Sequence, residues 1–329
     1  ELWVGGRRVA TNRDGNSPAD FNITKLLKEG RNRVEIILNQ PSDMTPIEGW
    51  GRPSEALGKV WVTAPPTMGV REVLVETTMN KENSAEATAE VGIVVKSYAL
   101  NPRTVRIYYE LDDPAGRTVA HGQRDLTLQM RGEDTVRFLA TVSDTLLWSR
   151  ERPQHHTLRI RTQREGRFTE YHQYPLGLRA VTFDKGRVAI NGREEQLTIT
   201  PCSPVATPEA LAEVRRSGNN TIQLEAGAVA PHLFAVCDTL GLYVIAGSSR
   251  NVGGNPSNNP AWVPFYLERV ENCFHAVKRH PSVIGFSIAA RSANGIALYE
   301  SYRRLKELGD TRPVIYPDAE GEWNTDRIE

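Results

Sequence analysis

The chain has 329 residues, enough for two or three domains, and its 39% hydrophobic and 24% charged residues are ordinary for a globular protein. Lysines and arginines together number 40, as do aspartates and glutamates, so the net charge of zero excludes the basic surface typical of proteins that bind nucleic acid or anionic membranes. No apolar run approaches the roughly 20 residues that span a bilayer, and the first ten residues lack the basic start and apolar core of a signal peptide.

Residues 1 to 66 have the pattern of short β-strands. The stretch ELWVGGRRVA predicts two strands joined at Gly5 and Gly6, a dipeptide that two-residue hairpins favour. KLLKEG predicts a single helical turn ended by Gly30, and RVEIILN and KVWVTAP predict two more strands. Because the first residue already has the pattern of a strand interior, we expect the natural chain to begin further upstream.

Residues 67 to 182 are also β but more regular. About seven strands separated by turn signals, over about 110 residues, predict an immunoglobulin-like β-sandwich. The predicted strands are VREVLVETTMN, ATAEVGIVVKSYA, TVRIYYELDD, RTVAHGQRDLTLQM, DTVRFLATVS, HTLRIRTQ and FTEYHQYPLG.

From residue 183 to 329 strands alternate with amphipathic helices. The helix TPEALAEVRRSG, for example, has Thr207 as its N-cap and Gly218 as its stop. Apolar strands alternating with helices predict a parallel sheet buried on both faces, as in a doubly wound sheet or a (β/α)₈ barrel. Five strands fit into this segment (EQLTITPCS, NTIQLEAG, LYVIAGSS, VIGFSIAA and RPVIYP), so a barrel would be unclosed.

Particular stretches in all three segments carry a family resemblance. They are ELWVGGRRVATNRDGNSPADFNITKLLKEGRNRVEI, LLWSRERPQHHTLRI, YPLGLRAVTFDKGRVAINGRE, CDTLGLYVI, NPAWVPFYLERVENCFHAVKRHPSVIGFS and TRPVIY. In this order they resemble glycoside hydrolase family 2, in particular its β-galactosidase branch. The resemblance implies part of a jelly-roll sugar-binding domain over 1–66, an immunoglobulin-like sandwich over 67–182 and the first half of a (β/α)₈ barrel over 183–329.

The resemblance also implies a retaining β-glycosidase, in which two carboxyl groups about 5–5.5 Å apart flank the glycosidic bond. In the family, the acid/base glutamate follows an asparagine at the carboxyl end of the fourth barrel strand. Here FSIAARSANG places Ala290 in the asparagine position and Arg291 in the glutamate position. An arginine, with a pKa above about 12, does not supply a proton at pH 7. We therefore expect the acid/base to be absent, and the nucleophile belongs to a later strand than this sequence reaches.

Other positions that line the family's sugar pocket differ as well. Gln223 takes an arginine position, and no histidine follows it. Pro201 and Cys202 replace a His-Glu pair, and Pro317 stands where a glutamate is usual. We expect no catalytic residue, and a vestigial cleft lined by Gln223, Glu225, Arg250, Asn251, Arg291 and Asn294.

Arginines and histidines also have simpler interpretations. Arg291 either binds an anionic ligand or, as we favour, pairs with a carboxylate such as Glu225; the same choice applies to Arg250. His155 and His156 point to opposite faces of a strand and do not converge on a metal ion. His280 is interpreted as a helix-end residue. With no phosphate loop, metal-ligand cluster or Ser-His-Asp arrangement in the sequence, we expect neither a cofactor nor a metal.

The three cysteines, Cys202, Cys237 and Cys273, are widely spaced in apolar stretches, which favours free buried thiols over a disulfide framework. Besides a fragment or proteolytic core whose function resides in segments outside this sequence, two functions remain open from the sequence. One is a catalytically inactive family member that acts as a glycan-binding or protein-interaction scaffold. The other is a retaining β-glycosidase completed by further segments or a partner chain. An unclosed barrel also predicts that a second copy or another protein covers the last strand near residues 313–316. Family resemblance alone implies an extracytoplasmic location.

Overall fold

The computed structural model describes residues 1–12, 19–38, 47–48, 60–203, 206–224, 231–247, 250–251, 256–290, 292–319 and 321–328. The strands, in chain order, are β1 (Leu2–Val4), β2 (Arg7–Ala10), β3 (Val34–Ile36), β4 (Ile47–Glu48), β5 (Met68–Met79), β6 (Glu86–Ser97), β7 (Arg103–Asp112), β8 (Thr118–Leu128), β9 (Glu133–Ser143), β10 (His156–Arg164), β11 (Arg167–Leu176), β12 (Val181–Asp184), β13 (Arg187–Ile190), β14 (Arg193–Glu194), β15 (Ile199–Cys202), β16 (Thr221–Leu224), β17 (Tyr243–Gly247), β18 (Arg250–Asn251), β19 (Val283–Ser287) and β20 (Val314–Ile315). The α-helices are α1 (Pro208–Arg216), α2 (Pro231–Leu240), α3 (Val263–Val277) and α4 (Ile296–Glu307). Within the described residues, no helix is long and apolar enough to cross a membrane.

The first strands form a small antiparallel sheet in the order β2-β1-β3. The predicted hairpin is confirmed, with both turn glycines at positive φ, 55° for Gly5 and 77° for Gly6. The predicted helical turn is a 3₁₀ turn at Thr24–Leu26, which ends before Gly30 because Leu27 is already extended.

The predicted strand KVWVTAP was wrong. Its described part, residues 60–65, has no strand structure, and Trp61 and Val62 are 75% and 79% exposed. A strand requires a neighbouring strand to accept its backbone hydrogen bonds, and none of the described strands pairs with this stretch. The alternation of apolar residues alone therefore led to a wrong strand prediction for this stretch.

The seven strands predicted for the middle of the chain are all present and form the immunoglobulin-like sandwich. One sheet has the order β5-β6-β9 and the other β11-β10-β7-β8. Their facing side chains make one apolar core, in which Val91, Ile93, Ile107 and Leu158 have no exposed surface. The alternation of buried and exposed residues along strands such as β7 and β9 explains why the sequence predicted them well.

The last part of the chain is a portion of a TIM-type (β/α) barrel. Its five strands are parallel and lie in chain order, β15-β16-β17-β19-β20, as predicted. Helix α1 begins as predicted, with the Thr207 hydroxyl accepting a hydrogen bond from the Ala210 amide at 3.3 Å. Apolar residues on the helix-facing side of the sheet, including Val244 and Phe286, form the core with these helices.

The outer edge of β20 is covered by the chain itself. The Val314 amide donates to the Asp326 carboxylate at 2.7 Å, and the Asp326 amide donates to the Val314 carbonyl at 2.8 Å. The Tyr316 amide donates to the Thr325 hydroxyl at 2.8 Å. The backbone groups expected to need another protein at residues 313–316 thus have partners within the chain. The covering partner expected at this edge stays a prediction.

The sandwich meets the barrel at the amino ends of the parallel strands. The Trp148 indole, fully buried, donates to the Asp238 carbonyl at 2.8 Å, and the Asn191 amide donates to the Trp148 carbonyl at 3.0 Å. Arg179 and Arg312 both donate to the Val283 carbonyl, at 2.5 and 3.0 Å. Burial and the nearby Arg312 lower the pKa of Arg179 to about 9, so it stays charged at pH 7.

The antiparallel sheet β12-β13-β14 at this junction was not predicted. It packs Val188 and Ile190 against Trp148, Tyr243 and Ile284 in a separate apolar cluster. The domain boundaries at residues 66/67 and 182/183 stay predictions.

Candidate functional site

The carboxyl edge of the parallel sheet is the candidate site, because barrel enzymes place their chemistry there. Side chains alternate across the sheet, so those that do not face the helix layer face the inside of the barrel. One inward row pairs Gln223 with Ile245 and Ile245 with Gly285. The next row, nearer the edge, pairs Gly247 with Ser287 and Ser287 with Ile315. Gln223, half-buried, therefore lies on the inner side of β16, and its role in a cleft stays a prediction.

Strands β16 and β17 approach closely at this edge. A Cβ atom built on Gly247 would lie 1.9 Å from the carbonyl oxygen of Leu224. Only glycine fits this contact without movement of the backbone.

The segment after β19 corresponds to the acid/base position of the family pattern. Ser287 donates a hydrogen bond to the Ala289 carbonyl at 3.0 Å, and Ser292 donates to the Ala290 carbonyl at 3.2 Å. The hydroxyl of Tyr316, which follows β20, donates to the Ser292 carbonyl. Each of these three hydroxyl groups thus donates to a backbone carbonyl of the same segment, and Ala290 is only 8% exposed. They position the backbone of this edge.

Asn294 has a structural position that the sequence did not predict. Its side-chain amide exchanges two hydrogen bonds with that of Asn324, at 3.1 and 3.0 Å, and Asn324 is fully buried. The side-chain Oδ1 of Asn294 also accepts from the Gly295 amide at 2.9 Å, just before α4. Asn294 therefore joins the start of α4 to the last described segment, and its amide is directed to this contact.

The other predicted cleft residues are described incompletely or not at all. Glu225 and Arg291 lie outside the described residues, so their suggested ion pair stays a prediction. Arg250 and Asn251 form strand β18, which pairs antiparallel with β4, Arg250 opposite Glu48 and Asn251 opposite Ile47. The sequence did not predict this contact between the first 66 residues and the barrel, since it joins two short segments about 200 positions apart.

The chemistry of the described edge contains no pair of facing carboxylates. The strand-end residues are Cys202, Leu224, Gly247, Ser287 and Ile315, and of the described residues that follow, Asp318 is an exposed acid. No group of three or more histidines, cysteines, aspartates or glutamates in the described part of the chain is arranged to hold a metal ion. Direct hydrolysis would need carboxyl groups from residues beyond these.

The histidines considered from the sequence as possible metal ligands lie within the packed structure of the protein. His156 is fully buried, neither ring nitrogen has a hydrogen-bond partner among the described residues, and burial lowers its pKa to about 4. The Nδ1 atom of His280 lies 2.5 Å from the Asp238 carboxylate, which also accepts from the Ser282 amide at 3.0 Å. His280 thus fixes the turn between α3 and β19, in agreement with its interpretation as a helix-end residue.

The three cysteines are free. Cys237 and Cys273 are buried as expected, whereas Cys202 at the end of β15 is half-buried. Burial raises the pKa of the Cys202 and Cys237 thiols, which opposes a thiolate role.

Comparison with known proteins agrees with a sandwich followed by a TIM-type barrel of the kind found in glycosidases. The model of the family 2 TIM barrel domain of glycosyl hydrolases matches residues 228–328, and a second model, glycosyl hydrolases family 2, matches residues 69–179. The two models together match more than half of the chain. The chain belongs to glycoside hydrolase family 2.

Curated relatives include the β-galactosidases of Yersinia pestis bv. Antiqua (strain Angola) and Yersinia pseudotuberculosis serotype O:3 (strain YPIII). Both are 26% identical to this chain, and the alignments cover 96% of it but 33% and 32% of the relatives. The chain thus spans about a third of the length of the curated relatives it matches.

Solved structures with the same fold include a glycosyl hydrolase family 2 member from Bacteroides cellulosilyticus, with a TM-score of 0.72, 19% identity and coverage of 95% of this chain and 45% of that one. The exo-chitosanase CsxA of Amycolatopsis orientalis has a TM-score of 0.73 at 21% identity and coverage of 95% and 41%. At these identities the likeness shows the fold alone.

Proposed function

We propose that this chain is a family 2 member whose sheet edge binds a glycan or a protein without cleaving a glycosidic bond. The observation that carries the proposal is the pair Ala290-Arg291 at the position where the family has its asparagine and acid/base glutamate. A guanidinium stays protonated at pH 7, so it has no proton to lend to a leaving group. The group that would start catalysis is therefore replaced by a fixed positive charge.

The described neighbourhood supports this proposal. The hydroxyls of Ser287, Ser292 and Tyr316 donate to backbone carbonyls and hold the segment around Ala290 in place. A rigid edge without a described pair of facing carboxylates suits recognition better than bond cleavage. An arginine in such a place is suited to carboxylate or other anionic groups, because its planar donors match them in pairs.

The alternative is a retaining β-glycosidase whose remaining catalytic groups lie in segments beyond this sequence. The observation that favours it is the alignment of 96% of the chain with the Yersinia pestis β-galactosidase. Without the acid/base, such an enzyme would lose about 10²–10⁴-fold in rate on substrates whose leaving group needs a proton. It would keep more of its rate on activated aryl glycosides, whose leaving groups need none.

The deciding experiment compares two classes of substrate with the purified protein. We expect no turnover above buffer with lactose or a β-glucuronide, nor with the p-nitrophenyl β-galactoside and β-glucuronide. Turnover of the aryl glycosides alone would support the alternative. Turnover of natural β-glycosides would overturn the proposal.

A binding assay tests the positive half of the proposal. We expect Arg291→Ala to weaken binding to an acidic glycan such as a uronic-acid oligosaccharide by about tenfold, the loss of one charge-assisted hydrogen-bond pair. Arg216→Ala is the matched control, because Arg216 is an exposed helix residue paired with Glu213 at 2.5 Å. Equal effects of the two variants would contradict a specific role of the sheet edge.

A further inference from the structure

A cavity lies away from the sheet edge, between the N-terminal segment and the outer side of the barrel. It has a volume of about 520 Å³. Six of the residues that line it are Thr11, Asp20, Phe21, Glu268, Asn272 and His275. Cavities that hold small ligands span about 300–1,000 Å³, so this one is large enough for a single sugar ring.

The cavity is separate from the candidate site. The barrel residues that line it all lie on α3 (Val263–Val277), and none of the described strand-end residues lines it. Glu268, Asn272 and His275 occupy the middle and the end of that helix. A ligand here would rest on the helix layer, whereas Gln223 lies on the inner side of β16.

The lining combines one apolar face with several hydrogen-bonding groups. Phe21 is half-buried and offers an aromatic surface. Asn272 is an amide with both donors and acceptors, Thr11 is a hydroxyl, and Asp20 and Glu268 are acceptors.

His275 adds a neutral ring to the lining. Burial and the nearby Lys278 lower its pKa, opposed by Glu72 and Glu271, so the imidazole is neutral near pH 7 and carries one donor and one acceptor. The two cations that face it are paired elsewhere, Lys278 with Glu72 at 2.6 Å and Arg304 with Glu271 at 2.6 Å.

We propose that this cavity binds a pyranose ring. A pyranose presents a flat C–H face, which complements the Phe21 ring, and a rim of hydroxyls that both donate and accept, which complements the amide, hydroxyl and carboxylate groups. The proposal shares the ligand class of the proposed function but stands on different residues, so either can fail while the other holds.

Binding there would also join two parts of the chain that are far apart in sequence. Thr11, Asp20 and Phe21 come from the N-terminal segment, and Asn272 and His275 come from the barrel. A ligand that contacts both parts of the chain stabilises their association by mass action. The melting temperature of the N-terminal segment should therefore rise as the ligand concentration rises.

The test is titration of the purified chain with D-galactose and D-glucose, followed by saturation-transfer NMR, with sorbitol as an acyclic control that lacks the ring face. We expect both pyranoses to bind and sorbitol to bind at least tenfold more weakly, because its open chain cannot present a preformed flat face. Phe21→Ala should raise the dissociation constant about tenfold, and Asn272→Ala about fivefold.

Two variants serve as controls. Phe168→Ala removes a 41% exposed phenylalanine from the sandwich and should leave binding unchanged. Arg216→Ala removes an exposed charge from α1 and should also leave it unchanged, whereas Gln223→Ala reports on binding at the sheet edge. Loss of binding in Gln223→Ala with none in Phe21→Ala and Asn272→Ala would place the sugar at the sheet edge and overturn this inference, as would the absence of pyranose binding to the parent chain. Circular dichroism of each variant confirms that it is folded.

Discussion

Asp326 is the residue whose removal should most clearly show how the last described strand is completed. Its carboxylate accepts from the Val314 amide at 2.7 Å and from the Tyr302 hydroxyl at 2.9 Å, and it pairs with the Lys306 ammonium. Its own amide donates to the Val314 carbonyl. Asp326→Ala removes the side-chain contacts and leaves this backbone bond.

The free-energy cost of Asp326→Ala depends on how exposed to water each former partner of the carboxylate is. Val314 is 3% exposed, so its amide would lose its partner in a dry environment, which costs about 1–3 kcal/mol. Lys306 is 36% exposed along its side chain and would recover water, so its ion pair contributes about 0–1 kcal/mol. Asp326→Asn keeps an oxygen acceptor and should cost about 1 kcal/mol or less, mainly through the lost charge.

Amide hydrogen exchange measures this effect at the site. In Asp326→Ala, the peptide that contains Val314 and Tyr316 should exchange roughly 5- to 160-fold faster, the range that corresponds to about 1–3 kcal/mol. Asp184→Ala, which removes an exposed acid at the end of β12, is the control and should change nothing there. Exchange at Val314 within twofold of the parent in Asp326→Ala would refute the assignment of this carboxylate as the cap of β20.

Three further predictions concern buried positions. The pKa of His156 is lowered to about 4 in the folded protein, against about 6.5 in the unfolded chain, so the folded state binds fewer protons between these two pH values. The unfolding free energy should therefore be highest above pH 6.5 and fall by up to about 3 kcal/mol toward pH 4. His156→Phe should flatten this pH dependence, which urea titrations at several pH values measure. Gly247→Ala, whose new methyl would meet the Leu224 carbonyl, should lower the unfolding free energy by about 1–3 kcal/mol; a loss below about 0.5 kcal/mol would show that the edge adapts freely. Trp148→Phe leaves the buried Asp238 carbonyl without its donor and should lower the melting temperature by roughly 2–8 °C in calorimetry, an outcome contradicted by an unchanged transition.

Much of the fold could be predicted because its signals are local. Alternation of buried and exposed residues, as in β7 and β9, predicts a sandwich strand from the residues alone, since one face must be apolar. The helix that Thr207 caps was predicted for the same reason, because a cap acts on amides two or three positions away. KVWVTAP failed because its pattern is that of a strand while its exposed residues have no neighbouring strand among those described.

The candidate site could be predicted less well, because its contacts are remote in sequence. The assignment of Ala290 and Arg291 to the asparagine and acid/base positions is a prediction made from the sequence against the family pattern, and it stays a prediction. The engagement of Asn294 by Asn324, 30 positions later, was not predicted. Neither was the cavity between Phe21 and Asn272, since nothing local in either stretch indicates the other.

The sequence by itself determined the class of each segment and the family resemblance, because these depend on residue type and short-range periodicity. Only the tertiary structure decided that Asp326 closes the edge of β20, that three hydroxyls hold the backbone after β19, and that a cavity forms on α3. Such contacts join residues tens to hundreds of positions apart. Their partners are selected by packing of the whole chain, so no local pattern records them.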